Sequence, residues 1–394
     1  MESLVLVGAT LIDGTGAEPV RGRAVVVEQG RIAQVVDISR APRARRIDLE
    51  GHTLLPGLIN CHVHLCLGAE ADPVRALKDD PAPLTALKAL RHAQETVEAG
   101  VTTVRDLGGR EYVELAVRRA IAEGHFPGPR ILAAGRPICM TGGHGSFLGR
   151  EADGPDDARK AVREQLKAGA DVIKLIATGG VMTPGVEPGS SQLTLEEMRA
   201  AIDEARKAGR RTAAHAQGST GIADAIEAGI TTIEHGIYLT DEIIASMKAK
   251  GVFLVPTLAA PAAICAGGLA AGIPEFMVRK SETVAAHHLA SFQRATQAGV
   301  SIAAGADSGT PFNPHGSLLP ELELMIKHGM SPLEAIRAAT VVAAQALGLE
   351  NETGRVAPGL AADLVAVVGE AAERIQALAD VRLVLARGAM IKSP

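Results

Sequence analysis

A regular beat constrains this chain more than any other feature. Eight short runs rich in Val, Ile, Leu and Ala recur between residues 58 and 306, and the segments between several of them carry helical signals. The runs are Leu58 to Leu65, Thr102 to Leu107, Arg130 to Ala134, Asp171 to Ala177, Arg211 to Ala216, Thr231 to His235, Val252 to Thr257 and Ser301 to Ala306. Their length and composition read as strands. Thr194-Leu-Glu-Glu197 and Ser331-Pro-Leu-Glu334 are capping boxes, in which a hydroxyl and a carboxylate three residues apart satisfy the free N–H groups at a helix start. Ala-Gly pairs at 99–100, 208–209, 228–229 and 298–299 precede strands, as helix ends do. Eight strand–helix units over residues 58–354 predict an α/β chain with a (β/α)8 TIM barrel.

The two ends read differently. Ser3 to Leu11, Ala24 to Glu28, Arg31 to Val36 and Arg46 to Leu49 are strand-like and divided by turns such as Asp13-Gly14, and Asp363 to Val368 and Val381 to Ala386 repeat the character. A small β-sandwich domain assembled from residues 1–57 and 355–394 is expected, with the barrel between.

Composition removes several partners. Aromatic residues are 2% of the chain with no Trp, which disfavours stacking on nucleic-acid bases, and a net charge of −5 offers no basic footprint for nucleic acid or an anionic membrane. Cys61, Cys66, Cys139 and Cys265 have no Cys-x-x-Cys spacing, so a reducing compartment is expected. The first residues lack a basic segment and break at Gly8, and no apolar stretch approaches the ~20 residues of a membrane span. The expectation is a cytoplasmic enzyme acting on a small molecule.

In such a barrel, functional groups gather at the C-terminal ends of the strands. His62 and His64 stand at i and i+2 of the first run and so share a face, Lys174 lies on the fourth, His215 on the fifth, His235 on the sixth and Asp307 just past the eighth. Singly, the histidines are ordinary core residues and Asp307 a turn residue; together they read as a metal-ligand layer. Lys174, inside Val172-Ile-Lys-Leu-Ile176, is too costly to bury as a lone ammonium. It either pairs with Asp307 or Asp106, or loses its charge and captures CO2 as a carbamate, an anion able to bridge two ions. Arg105 is expected to be an ion-pair partner in the barrel, and His287 and His288 to face solvent. The stretch from Leu258 to about Val284 reads as a lid, an oligomer contact or a surface excursion with a short helix.

His62-Val-His64, Lys174, His215, His235 and Asp307, in this strand order, resemble the binuclear branch of the amidohydrolase superfamily. Asp13-Gly14-Thr15, Leu55-Pro-Gly-Leu58 and Gly354-Arg-Val-Ala-Pro-Gly-Leu-Ala-Ala-Asp363 look like its β domain and junctions, so the resemblance spans essentially the whole chain. Ala177-Thr-Gly-Gly180, Thr141-Gly-Gly-His-Gly145 and Thr232-Ile-Glu-His-Gly-Ile-Tyr238 resemble the prolidase- and carboxypeptidase-like members, imidazolonepropionase-like and ochratoxin-hydrolysing amidohydrolases among them.

The resemblance implies that His62, His64 and Asp307 hold a more buried ion, His215 and His235 a more exposed one, and carboxylated Lys174 bridges them. Zn is the leading candidate, with Mn or Co suited to the same ligands. It implies a hydroxide between the ions as nucleophile, Asp307 as general base and then acid, and His144 and Tyr238 as readers of the substrate carbonyl or carboxylate. The residues alone leave His144 equally a loop hydrogen bonder and Tyr238 a cover for a strand end. The implied reaction is release of a C-terminal amino acid from dipeptides or N-acyl amino acids, the alternative being a cyclic amide or lactone hydrolase or a deaminase on the same barrel. Members of this branch are often homo-oligomers, and the same is expected here.

Overall fold

A computed structural model describes residues 3–394. Seven regular barrel strands, β1 (Leu58–Val63), β2 (Val101–Asp106), β3 (Arg130–Ala133), β4 (Val172–Ile176), β5 (Arg211–Ala216), β6 (Thr232–His235) and β7 (Phe253–Val255), run parallel with helices between them. The third stave is broken. After Ala133 the chain leaves the sheet and returns at Ile138–Cys139, which pairs with β4 at Leu175.

The eighth stave differs from the expected strand Ser301 to Ala306. Two isolated parallel bridges, Leu254 to Ile302 and Val63 to Ser308, close the ring, aided by Cys61 N–H donating to the Ala304 carbonyl at 2.9 Å. A side chain at Gly305 would stand 2.5 Å from Val255 Cγ1 and 3.0 Å from the His62 backbone nitrogen. The backbones approach too closely here for the spacing of an ordinary ladder, and Asp307 follows with a positive φ of 57°.

Both capping boxes form, with Thr194 and Ser331 each exchanging hydrogen bonds with the glutamate three residues on. Arg105 is the expected ion-pair partner, its Nη2 lying 2.8 Å from Glu234 Oε1 while Nε donates to the Cys61 carbonyl. The stretch after β7 folds into a helix, Ala259–Gly267, a short turn and the start of the long helix Glu275–Ala298. Ser281, Val284 and His288, at i, i+3 and i+7, make one buried face of that long helix. The solvent-facing expectation therefore holds for His287 and is corrected for His288, which is 2% exposed and donates from Nε2 to the Pro256 carbonyl at 2.7 Å.

The chain ends build two sheets. One orders Arg31–Asp37, Arg23–Glu28, Leu4–Val7 and Arg45–Asp48; the other Ala389–Lys392, Val381–Ala386, Leu364–Val368, His52–Pro56 and Thr10–Leu11. Alternation along Leu364–Val368 explains how they attach. Leu364 and Ala366 join Leu6, Val25 and Ile32 between the sheets, whereas Val365 and Val367 pack into the barrel's own core. Among the described residues, no helix is long and apolar enough to cross a membrane.

Candidate metal centre and active site

His62, His64, Lys174, His215, His235 and Asp307 all line one cavity at the C-terminal ends of the strands, which encloses about 800 Å³ of empty space with its open mouth included. The ring centroids of His62 and His64 and of His62 and His235 are 5.3 Å apart, and those of His215 and His235 are 4.5 Å apart. Ligand atoms of His62, His235 and Asp307 all lie within 4.8 Å of one another. Asp307 Oδ1 stands 3.3 Å from His62 Nε2 and 3.4 Å from His64 Nε2.

Backbone strain aims two of these groups. Strand alternation sets Glu234 and His235 on opposite faces of β6, yet both reach His62, because His235 takes a positive φ of 73° at the strand end. Such a conformation costs of order 1–3 kcal/mol in a non-glycine residue and persists where the surroundings hold it.

Each histidine is fixed through one ring nitrogen. His62 Nδ1 donates to Glu234 Oε2 at 3.0 Å, His64 Nδ1 to the Gly108 carbonyl at 2.9 Å and His215 Nε2 to the Gly179 carbonyl at 3.1 Å. His235 Nδ1 meets Thr257 Oγ1 at 2.7 Å, and since that hydroxyl's own proton goes to the Pro256 carbonyl, the imidazole is again the donor. Four lone pairs are left for the cavity, the orientation that neutral metal-binding imidazoles require. Burial depresses the pKa of all four rings and so favours their neutral form.

Lys174 is 2% exposed and its Nζ has no hydrogen-bond partner; Asp307 Oδ1 has none either. Neither sequence-level ion pair for the lysine forms, and Asp106 instead accepts N–H bonds from Leu65 and Gly108. Burial lowers the lysine pKa and raises that of Asp307. A set of imidazole lone pairs facing an unpartnered amine and an unpartnered carboxylate fits divalent cations and the charge they bring.

His144 lines the same cavity, with its ring 4.4 Å from that of His215 and Nδ1 on Thr183 Oγ1 at 2.9 Å. Burial first, then the nearby Lys174, pushes its pKa down to about 3, so it is a neutral hydrogen bonder. Tyr238 is half-buried beside His287, ring centroids 5.0 Å apart, and is not among the residues lining the cavity.

Sequence reasoning missed Glu234, Gln217, Ser281 and Lys280. Ser281 shares a helix face with His288, which was expected in solvent, so the spacing hid it; Glu234 was visible as the residue before His235. Lys280 was not, because lysines on amphipathic helices normally face water. Here it is 1% exposed and donates to the carbonyls of Gly180, Thr183 and Val186, clamping the loop after β4 that carries Thr183 beneath His144.

Comparison with known proteins agrees with this architecture. The Amidohydrolase family model matches residues 53–391. Ochratoxinase from Aspergillus niger is 31% identical, the match covering 96% of this chain and 84% of that protein. Its crystal structure superposes with a TM-score of 0.89, covering 100% of this chain and 96% of that one. A crystal structure of a Xaa-Pro dipeptidase with bound methionine superposes with a TM-score of 0.91 at 32% identity, covering 98% and 99% of the two chains.

Proposed function

Because the chain belongs to the amidohydrolase family, we propose that its cavity hydrolyses an amide, peptide-like bond and releases the C-terminal amino acid of a dipeptide or N-acyl amino acid, ochratoxin-like amides included. The observation that carries this reading is that four anchored histidines line one cavity together with Lys174 and Asp307, whose Nζ and Oδ1 have no hydrogen-bond partner.

His62, His64 and Asp307 would hold one divalent ion and His215 and His235 a second, with Lys174 shared between them; imidazole and carboxylate donors suit Zn first, then Mn or Co. Two such ions, when bound, supply Lewis acidity that polarises a scissile carbonyl and acidifies water near neutral pH. The chain's own residues do the rest. Once it has given its proton to solvent, the Lys174 amine would add to the carbon of CO2, the π pair moving onto oxygen and the second N–H proton leaving to solvent, and the carbamate so formed would be among the groups that hold the ions. Asp307 takes the proton of the attacking water and passes it to the leaving nitrogen. His144, neutral and fixed by Thr183, donates to the substrate carbonyl or carboxylate. Apolar walls from Ile176, Val181, Met182, Ile237 and Ile264 surround these groups and limit water around them.

The test counts ions as well as turnover. After loading with Zn and bicarbonate, the native protein is expected to hold two ions per chain and to show a carbamate carbon by 13C NMR. Lys174→Ala is expected to lose that signal, hold at most one ion and slow by about a thousandfold or more, as removal of a central catalytic group does. Two retained ions with undiminished turnover in the variant would overturn the proposal.

A further inference from the structure

Two polar groups in the cavity wall have no role in the scheme above. Gln217, at the end of β5, is 4% exposed, and its Oε1 has no hydrogen-bond partner. Ser281, on the inward face of the long helix, is fully buried, and its Oγ has none either. Both line the cavity among apolar side chains. Buried polar atoms are nearly always paired in folded proteins, since an unpaired one has given up its hydrogen bonds to water without replacement. Unpaired groups on the wall of a binding cavity are therefore candidates for contacts completed by a ligand.

The rest of the lining sets the charge of that ligand. Among the described residues lining the cavity, Asp307 is the sole carboxylate, and the scheme commits it to the ions. Glu234 is tied to Arg105 and His62. A free dipeptide brings an α-ammonium, and this wall holds no uncommitted anion to compensate its desolvation. A carboxamide and a hydroxyl, by contrast, complement an uncharged group such as a second amide, because each both donates and accepts.

We propose that Gln217 and Ser281 are specificity residues that hydrogen-bond an uncharged polar group on the acyl side of the scissile bond, so that N-acylated substrates are taken in preference to dipeptides with a free ammonium. The inference rests on the amide-hydrolase reading and narrows its substrate class.

Three probes separate the terms: Ala-Phe, which carries the ammonium; N-acetyl-Ala-Phe, which replaces it with a neutral amide; and N-pentanoyl-Phe, which has neither. The Zn-loaded, bicarbonate-treated protein is expected to favour N-acetyl-Ala-Phe over Ala-Phe by at least about tenfold in kcat/KM, the worth of one hydrogen bond made or one charge left uncompensated. Gln217→Leu and Ser281→Ala are expected to raise KM for N-acetyl-Ala-Phe several-fold more than for N-pentanoyl-Phe. A merely structural role for either residue would slow both substrates alike.

Binding is read in parallel by calorimetry with ketomethylene analogues of Ala-Phe and N-acetyl-Ala-Phe, in which CH2 replaces the scissile N–H. A capped-analogue preference that weakens in the variants, without turnover of any probe, would uphold the assignment of Gln217 and Ser281 and overturn the hydrolase reading. Turnover with equal use of Ala-Phe and N-acetyl-Ala-Phe, or variants that lose both neutral substrates equally, would overturn the assignment itself.

Discussion

Lys280 shows how one side chain can hold a site it does not touch. Its buried ammonium is satisfied by three carbonyls of the loop after β4, and Thr183 in that loop anchors His144. Lys280→Met leaves those acceptors unpaired in a dry environment, a loss of about 2–4 kcal/mol by the usual cost of orphaned buried polar groups. The expected outcome is a lower denaturant midpoint, together with faster amide hydrogen exchange across residues 178–191 than elsewhere. Uniform exchange would argue against a clamp. The residues of the proposed ligand set were legible from spacing and strand position, because alternation puts His62 and His64 on one face and an internal lysine on a strand has few places to go. Lys280 was illegible because its burial depends on a loop about a hundred positions away in sequence.

At the scale of the element, the ring closes at its weakest stave. Between Ser301 and Ser308 bridges replace a regular ladder, and Gly305 lies against Val255 and the His62 backbone. Gly305→Ala forces apart β7 and β1, the strand that carries His62 and leads into His64, and overpacking of this kind costs about 1–3 kcal/mol. The variant is expected to show a lower unfolding midpoint and weaker Zn retention during dialysis against a chelator; native-like retention would mean that the stave yields without moving His62. The sequence located this stave by its composition yet overstated its regularity. Propensity registers Ile302 and the alanines after it, whereas the bridges depend on how closely neighbouring backbones approach.

Taken whole, the molecule joins its two largest hydrophobic clusters through one sheet, with the two faces of Leu364–Val368 feeding different cores. Ending the chain after residue 354 strips three strands from that sheet and exposes barrel core residues that Val365 and Val381 cover. The truncated chain is expected to lose cooperative thermal unfolding and to bind the dye ANS, while the full chain melts in one transition. A truncation that melts sharply would show the barrel to be independently stable. By itself, the sequence determined the alternation of strand and helix, the pairing of the chain ends into β structure and six of the polar residues that line the cavity, since periodicity, capping and residue chemistry are local properties. Only the tertiary structure decided that Lys174 has no ionic partner, that His288 and Lys280 turn inward, that Tyr238 stands off the cavity wall and that Gln217 and Ser281 stand on it. Each of these depends on what a distant segment brings within a few ångströms, and no local pattern encodes that distance.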